Sequence, residues 1–352
     1  SLYEPVITHI QSTPLYRGQN FPVQTRLLVE KPIGKDAQSA SVLEQLLAES
    51  FRSEEIYRID HYLAKEMVQN ILAFRFGNDM FEPSWHGEAI AKIEIKLWEQ
   101  LGVEHRGNFY DDLGALRDVG QNHLLQMLAL LTMDAPTEFS AASLHAKRGE
   151  ILNRLKSFAL EEIPQHTYRA QYQGYQNITG VSPNSATETY FKIKGYIDSP
   201  RWATVPIIIE SGKRMHEQRK EIIITYKHKL PCWCPDKTQH QTNVITFSLE
   251  PQESITICFW SKRPGLAAEQ EQRTIDFMLR DATSRPQYIE EYEKLLLDSI
   301  MGDQTLFVST AEIKAMWRFI DPIISAWDNN TVPLDTYLPD TDEVITKSGV
   351  IN

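Results

Sequence analysis

The sequence is short of cysteine, of positive charge and of long apolar runs, and each shortage removes a class of protein. Three cysteines in 352 residues are too few, and odd in number, for a disulfide framework, so a reducing, cytoplasmic setting is expected. Lys and Arg number 36 against 47 Asp and Glu, a net charge of −11. Nucleic acid and anionic membrane surfaces are therefore excluded as default partners. No stretch approaches the roughly 18 uninterrupted apolar residues of a membrane span; the longest, around His123, is broken by Asn122 and Gln126. The first ten residues lack both the basic start and the apolar block of a signal peptide. Among the 16 glycines no two are separated by a single residue, so no G-x-G-x-x-G turn exists, and neither Gly34-Lys35 nor Gly212-Lys213 sits in a P-loop. H-E-x-x-H, EF-hand and G-x-S-x-G patterns are missing too, as is any repeat at a solenoid period.

What remains is an ordinary globular composition, 42% hydrophobic, long enough for two domains. The apolar run 26–31, the helical pattern 37–51 and the short run 56–60 read as strand, helix and strand, one βαβ unit of a parallel sheet. A single unit cannot cover both faces of its strands, and the chain opens on Ser1 in a helical pattern (Leu2, Val6, Ile10). Residues 1–60 are therefore expected to be the C-terminal part of a Rossmann-like doubly wound domain whose beginning lies outside this chain. Helical periodicity follows over 63–76 and 112–133. Ile93, Ile95 and Leu97 then alternate with Lys92, Glu94 and Lys96, and the same period of two recurs over 187–196, 221–227, 243–249 and 254–260. Two helical patterns, 286–301 and 311–327, close the chain. Residues 61–352 are thus expected to form an α+β domain, a large mostly antiparallel sheet backed by helices.

One cluster has a metal-like look: His228, Cys232, Cys234 and His240, as H-x3-C-x-C-x5-H. Cys-x-Cys is tighter than zinc spacing and Pro231 and Pro235 bracket a turn, so no metal is assigned. Four other segments place polar residues where pattern alone would put apolar ones. Lys31-Pro32 ends the first strand, at the sheet end where ligands bind. Asp60 ends the second strand, and a helix starting at His61 would stack His61 and Lys65 as i and i+4, two cationic donors suited to phosphate. Asp118 and His123 lie in an otherwise apolar helix, about 140° apart around an α-helix, on opposite sides of a cleft. Ser211-Gly212-Lys213-Arg214 is a basic turn between two strands. Taken singly, each has an ordinary structural explanation.

Together, EKPIGKD, RIDHYLAKEMVQN, GALRDVGQNHLLQML and, more loosely, RW–VP–SGK resemble the glucose-6-phosphate dehydrogenase family, in order and at similar intervals over nearly the whole chain. The resemblance implies a coenzyme domain followed by the α+β domain, and oxidation of glucose 6-phosphate at C1 with NADP, or NAD in some members, the first step of the oxidative pentose phosphate pathway. It implies His123 as the base that takes the C1 hydroxyl proton and Asp60 as its partner. His61, Tyr62 and Lys65 would hold the 6-phosphate. Lys31 would sit between sugar and nicotinamide, Glu99 and Asp118 would accept from sugar hydroxyls, and Lys213 would approach from the sheet. A homodimer or homotetramer is implied through the large sheet. Departures stand beside this. Ala64 replaces the motif's glycine; Gln218 stands where a basic or substrate-facing residue is usual, with Arg219 next to it; and Glu250-Pro251 replaces Gln-Pro. The family's Gly-rich turn is missing from the sequence. The chain is accordingly expected to lack most of the coenzyme domain, as a piece of a longer enzyme or a short chain working with a partner polypeptide. The alternative function is a non-catalytic sugar-phosphate-binding or assembly module, or an inactive fragment, because the coenzyme fingerprint is absent.

Overall fold

The computed structural model describes residues 3–14, 16, 25–228, 234, 241–266, 269–279 and 290–351. β1 (Leu27–Val29) and β2 (Ile56–Arg58) pair in parallel, Leu27 opposite Ile56 and Val29 opposite Arg58. The helix Ala37–Ser50 crosses between them. It begins in a capping box: Asp36 accepts from the Ser39 N–H at 2.7 Å, and the Ser39 hydroxyl accepts from the Asp36 N–H at 3.2 Å. Its apolar stripe, Leu43 and Leu47, packs with Ile7, Val29, Phe51 and Ile56 into a small core. Because the strands run the same way in this register, the residues two past each strand end, Lys31 and Asp60, arrive at one rim. That rim is the C-terminal end of the parallel pair, where open α/β sheets take ligands.

The second sheet has nine strands in the order β10-β9-β8-β7-β3-β6-β5-β4-β11. They are β3 (Ile90–Trp98), β4 (Thr167–Tyr172), β5 (Tyr190–Gly195), β6 (Ile207–Gly212), β7 (Arg219–Tyr226), β8 (Val244–Glu250), β9 (Ser254–Lys262), β10 (Gln270–Met278) and β11 (Leu334–Tyr337). Only β3–β6 and β4–β11 pair in parallel, so the expected mostly antiparallel sheet is what forms. Period two sorts its faces. Ile93, Ile95, Ile207, Ile209, Ile222 and Ile224 share one core with Met127, Trp317 and Phe319 from the covering helices. The opposite face carries Lys92, Glu94 and Lys96, with Lys92 paired to Glu94 at 2.8 Å. The helices are tied to each other by Arg148 of Ala141–Asn153 and Glu312 of Thr310–Asp328, a fully buried pair at 2.7 Å.

Candidate active site

The segment holding His123 is not an α-helix. Leu116–Leu124 winds as a π-helix before Leu125–Thr132 continues as α. Side chains supply the reason. Asn122 donates to the carbonyls of Arg117 (3.3 Å) and Asp118 (3.0 Å) and accepts from the His123 N–H (2.7 Å), competing with the backbone pairing that would tighten the turn. At the start, the buried Glu188 carboxylate takes the Leu116 N–H at 2.8 Å. Gly114, at φ +73°, makes room for it, since a Cβ there would lie 2.4 Å from Glu188 Oε1. The wider winding, typical of functional segments, corrects the expectation that Asp118 and His123 face opposite ways: residues five apart now share a face, and both reach Lys31.

His123 Nδ1 lies 2.5 Å from Asp60 Oδ1, with both residues buried. Lys31 Nζ lies 3.1 Å from His123 Nε2, 3.0 Å from the Asp118 carbonyl and 3.3 Å from Asp118 Oδ1. An ammonium only donates and a carboxylate only accepts. The tautomer is therefore set from both sides, Nδ1–H to Asp60 and the Nε2 lone pair toward Lys31 and the cleft. Tyr62 stacks on the His123 ring at 4.3 Å and 22°, fixing its plane. Burial, reinforced by Lys31, lowers the His123 pKa below 6.5 even though Asp60 pulls the other way. Burial opposes ionisation of Asp60, but His123, His61 and Lys31 outweigh it and hold the carboxyl below its usual range. Asp118 is likewise lowered, Lys31 and Lys213 overcoming its burial.

The neighbouring segment also departs from expectation. His61–Ala64 is a 3₁₀ turn capped by Asp60, whose Oδ1 accepts from the Tyr62 N–H at 3.1 Å, and Lys65 is extended before the helix Glu66–Phe76 starts. His61 and Lys65 are thus not stacked on one helix. Nor is His61 a cation: burial and the nearby His123 push its pKa to about 4. It packs edge-on to His123 at 4.7 Å. Lys65 stays charged. Its burial is outweighed by Glu291, at 2.9 Å, and Glu250, at 3.7 Å.

Lys213 lies beside these groups, 2.6 Å from Glu99 and 4.0 Å from Asp118 Oδ2. Gln218 reaches the cleft indirectly, donating to Glu250 Oε2 at 2.7 Å and accepting from the Gln100 N–H at 3.4 Å. Arg219 does not compensate for it, being turned to Glu217 and Glu221. The cation that does arrive is Lys220, overlooked in the sequence, with Nζ 3.0 and 2.9 Å from the two Glu250 oxygens. Strand alternation carries the signal for it: Arg219 and Lys220 must face opposite ways on β7. Glu291 and Tyr292, the latter stacked on His61 at 5.9 Å, come from a distant helix and leave no local signature. Each lysine of the cleft holds a carboxylate, so the free cationic cluster suggested by the motifs is replaced by a network of ion pairs. Of the cysteine–histidine cluster, Cys232 and His240 lie outside the described residues. Cys234 Sγ sits 3.8 Å from His228 Nε2, and no metal-holding group occurs among the described residues.

Comparison with known proteins bears on the whole cleft. The model of the glucose-6-phosphate dehydrogenase C-terminal domain matches residues 72–348, and that of the family's NAD binding domain matches residues 1–70. The second match corrects the expectation that the coenzyme domain is mostly missing, since that domain is recognised over the βαβ unit and the Asp60 turn. Glucose-6-phosphate 1-dehydrogenase of Treponema pallidum (strain Nichols) is 38% identical over 352 residues, covering 96% of this chain and 67% of that protein. The enzyme of Bacillus subtilis (strain 168) is 35% identical, covering 93% and 70%. A solved glucose-6-phosphate dehydrogenase in complex with its substrate glucose-6-phosphate superposes with a TM-score of 0.86 at 30% identity, covering 97% of this chain and 71% of the other. Glucose-6-phosphate 1-dehydrogenase from Mycobacterium avium gives 0.83 at 30% identity, covering 96% and 70%. The matched residues include every segment that builds the cleft, and by them the chain belongs to the glucose-6-phosphate dehydrogenase family.

Proposed function

We propose that this chain oxidises β-D-glucose 6-phosphate at C1 to 6-phospho-D-glucono-1,5-lactone, with NADP as hydride acceptor and NAD as the alternative. The observation that carries this reading is the buried His123–Asp60 pair with its Nε2 lone pair aimed at the cleft. Oxidation at C1 requires the hydroxyl proton to leave as the C–H hydrogen departs as hydride. A neutral imidazole of lowered pKa is already deprotonated at pH 7 and can take that proton. Nε2 accepts it, and Asp60 stabilises the imidazolium that forms. Lys31 donates to Nε2 in the free protein, so the sugar hydroxyl must replace that contact. Released, its ammonium stays at Asp118 and faces the reacting carbon.

Asp118 and Glu99 then accept from ring hydroxyls, Lys213 orders both carboxylates, and Lys65, Tyr62 and neutral His61 donate to the phosphate. The rim of β1 and β2 fits the nicotinamide end of a coenzyme, with Lys31 the residue that would touch it; the sequence has no Gly-rich turn for the pyrophosphate. When bound, the coenzyme supplies the hydride acceptor. The intact base and partner favour this reading over a non-catalytic sugar-phosphate module, which would not need them. The test is coenzyme reduction by the chain with NADP or NAD and glucose 6-phosphate. Turnover that requires the sugar phosphate supports the reading, and binding of the sugar phosphate with no turnover on either coenzyme refutes it.

A further inference from the structure

The phosphate end of the cleft is already filled by a carboxylate. Glu250, the last residue of β8, presents both oxygens to Lys220 (3.0 and 2.9 Å), receives the Gln218 amide at 2.7 Å, and stands 3.7 Å from Lys65. These are the contacts a phosphate would make: two ammonium groups and an amide converging on one anion. The same two ammonium groups flank the Tyr62 ring, at 5.3 Å for Lys65 and 5.8 Å for Lys220, so Glu250 lies where the proposed phosphate donors meet. Glu291 takes the other side of Lys65 at 2.9 Å. The two lysines are therefore matched by two carboxylates, and a dianion entering between them meets no net positive charge.

We propose that Glu250 is an internal counter-anion and a specificity determinant: the substrate's phosphate binds by exchange with it, which weakens the grip on phosphorylated sugars relative to uncharged ones. This rests on the sugar-phosphate reading above. Exchange means that Lys220 and Gln218 turn from Glu250 to the incoming oxygens while the displaced carboxylate remains nearby and repels them. The Glu250 side chain is 28% exposed, so solvent and salt reduce the repulsion without cancelling it. Glucose, lacking the phosphate, has no such conflict. The residue thus narrows the affinity gap between the two sugars.

Calorimetry on the full chain, with glucose 6-phosphate and with glucose as probes, tests this. Glu250→Gln keeps shape and an oxygen for Lys220 but loses the charge. It is expected to tighten glucose 6-phosphate by about tenfold at low salt, less at high salt, and to leave glucose within about twofold. Lys220→Met, which leaves Glu250 unneutralised, is expected to weaken glucose 6-phosphate by about tenfold or more. Glu250→Gln that folds with an unchanged melting temperature yet leaves glucose 6-phosphate unchanged or weaker overturns the proposal and makes Glu250 a strut for Lys220. Equal tightening of both sugars overturns it too. Failure of both wild type and Glu250→Gln to bind glucose 6-phosphate refutes the sugar-phosphate reading itself, and this inference with it.

Discussion

Asp60→Asn separates two jobs that a carboxylate can do for a catalytic histidine. In this site one oxygen, Oδ1, accepts from both the Tyr62 N–H (3.1 Å) and His123 Nδ1 (2.5 Å), while Oδ2 has no hydrogen-bond partner among the described residues. An asparagine that turned its NH₂ to that position would set a donor against the Tyr62 N–H, at a cost of about 1–3 kcal/mol for the unpaired groups. The amide oxygen therefore keeps the Oδ1 place and the imidazole keeps its tautomer. What is lost is charge. Two unit charges about 4 Å apart at an effective dielectric near 20 interact by about 4 kcal/mol, part of which the amide dipole retains. A loss of about 3 kcal/mol corresponds to a roughly hundredfold fall in kcat. Steady-state coenzyme reduction measures it, and the acid limb of kcat/KM should move to lower pH, because Asp60 raises the His123 pKa. A fall of less than about fivefold would show that the carboxylate charge is not used. A fall beyond about 10⁴-fold would show that the tautomer had been lost and that the Tyr62 N–H does not anchor the amide.

Further outcomes follow from the same geometry. The acid limb of kcat/KM for the wild type should lie below pH 6.5, since the free-enzyme base has a lowered pKa; Lys31→Ala, removing a cation 3.1 Å from Nε2, should shift that limb upward in a pH–rate profile. Lys65→Ala should raise KM for glucose 6-phosphate by at least about tenfold while changing glucose affinity little, read by parallel kinetics and calorimetry. Arg148→Met strands Glu312 in the core and should cost roughly 3–5 kcal/mol of stability in a denaturant titration; a cost under about 1 kcal/mol would mean that the pair is not what ties those helices.

Much of this was legible from residue order alone. The βαβ unit and the alternating strands reach the structure, and most of the motif residues gather at one cleft, because period and motif are local properties. What escaped was decided by tertiary contacts. β6 opens on three consecutive isoleucines, Ile207–Ile209, and is buried along its whole length between β3 and β5, so it shows no alternation. β10 is exposed along most of its length and has little apolar face to show. The π-helix depends on Asn122 and Glu188 taking backbone groups, which no helical periodicity predicts. The pairing of Lys65 with Glu250 and Glu291 crosses 185 and 226 positions in sequence, and so the charge balance of the phosphate end could not be read from the basic motifs.

The central claim, that His123 Nε2 removes the C1 hydroxyl proton, is tested most directly by His123→Asn assayed beside wild type, with glucose 6-phosphate binding measured on both. The account predicts a fall in kcat of at least about 10³-fold with binding retained within a few-fold. A variant that binds the sugar phosphate and turns over within a few-fold of wild type would contradict it.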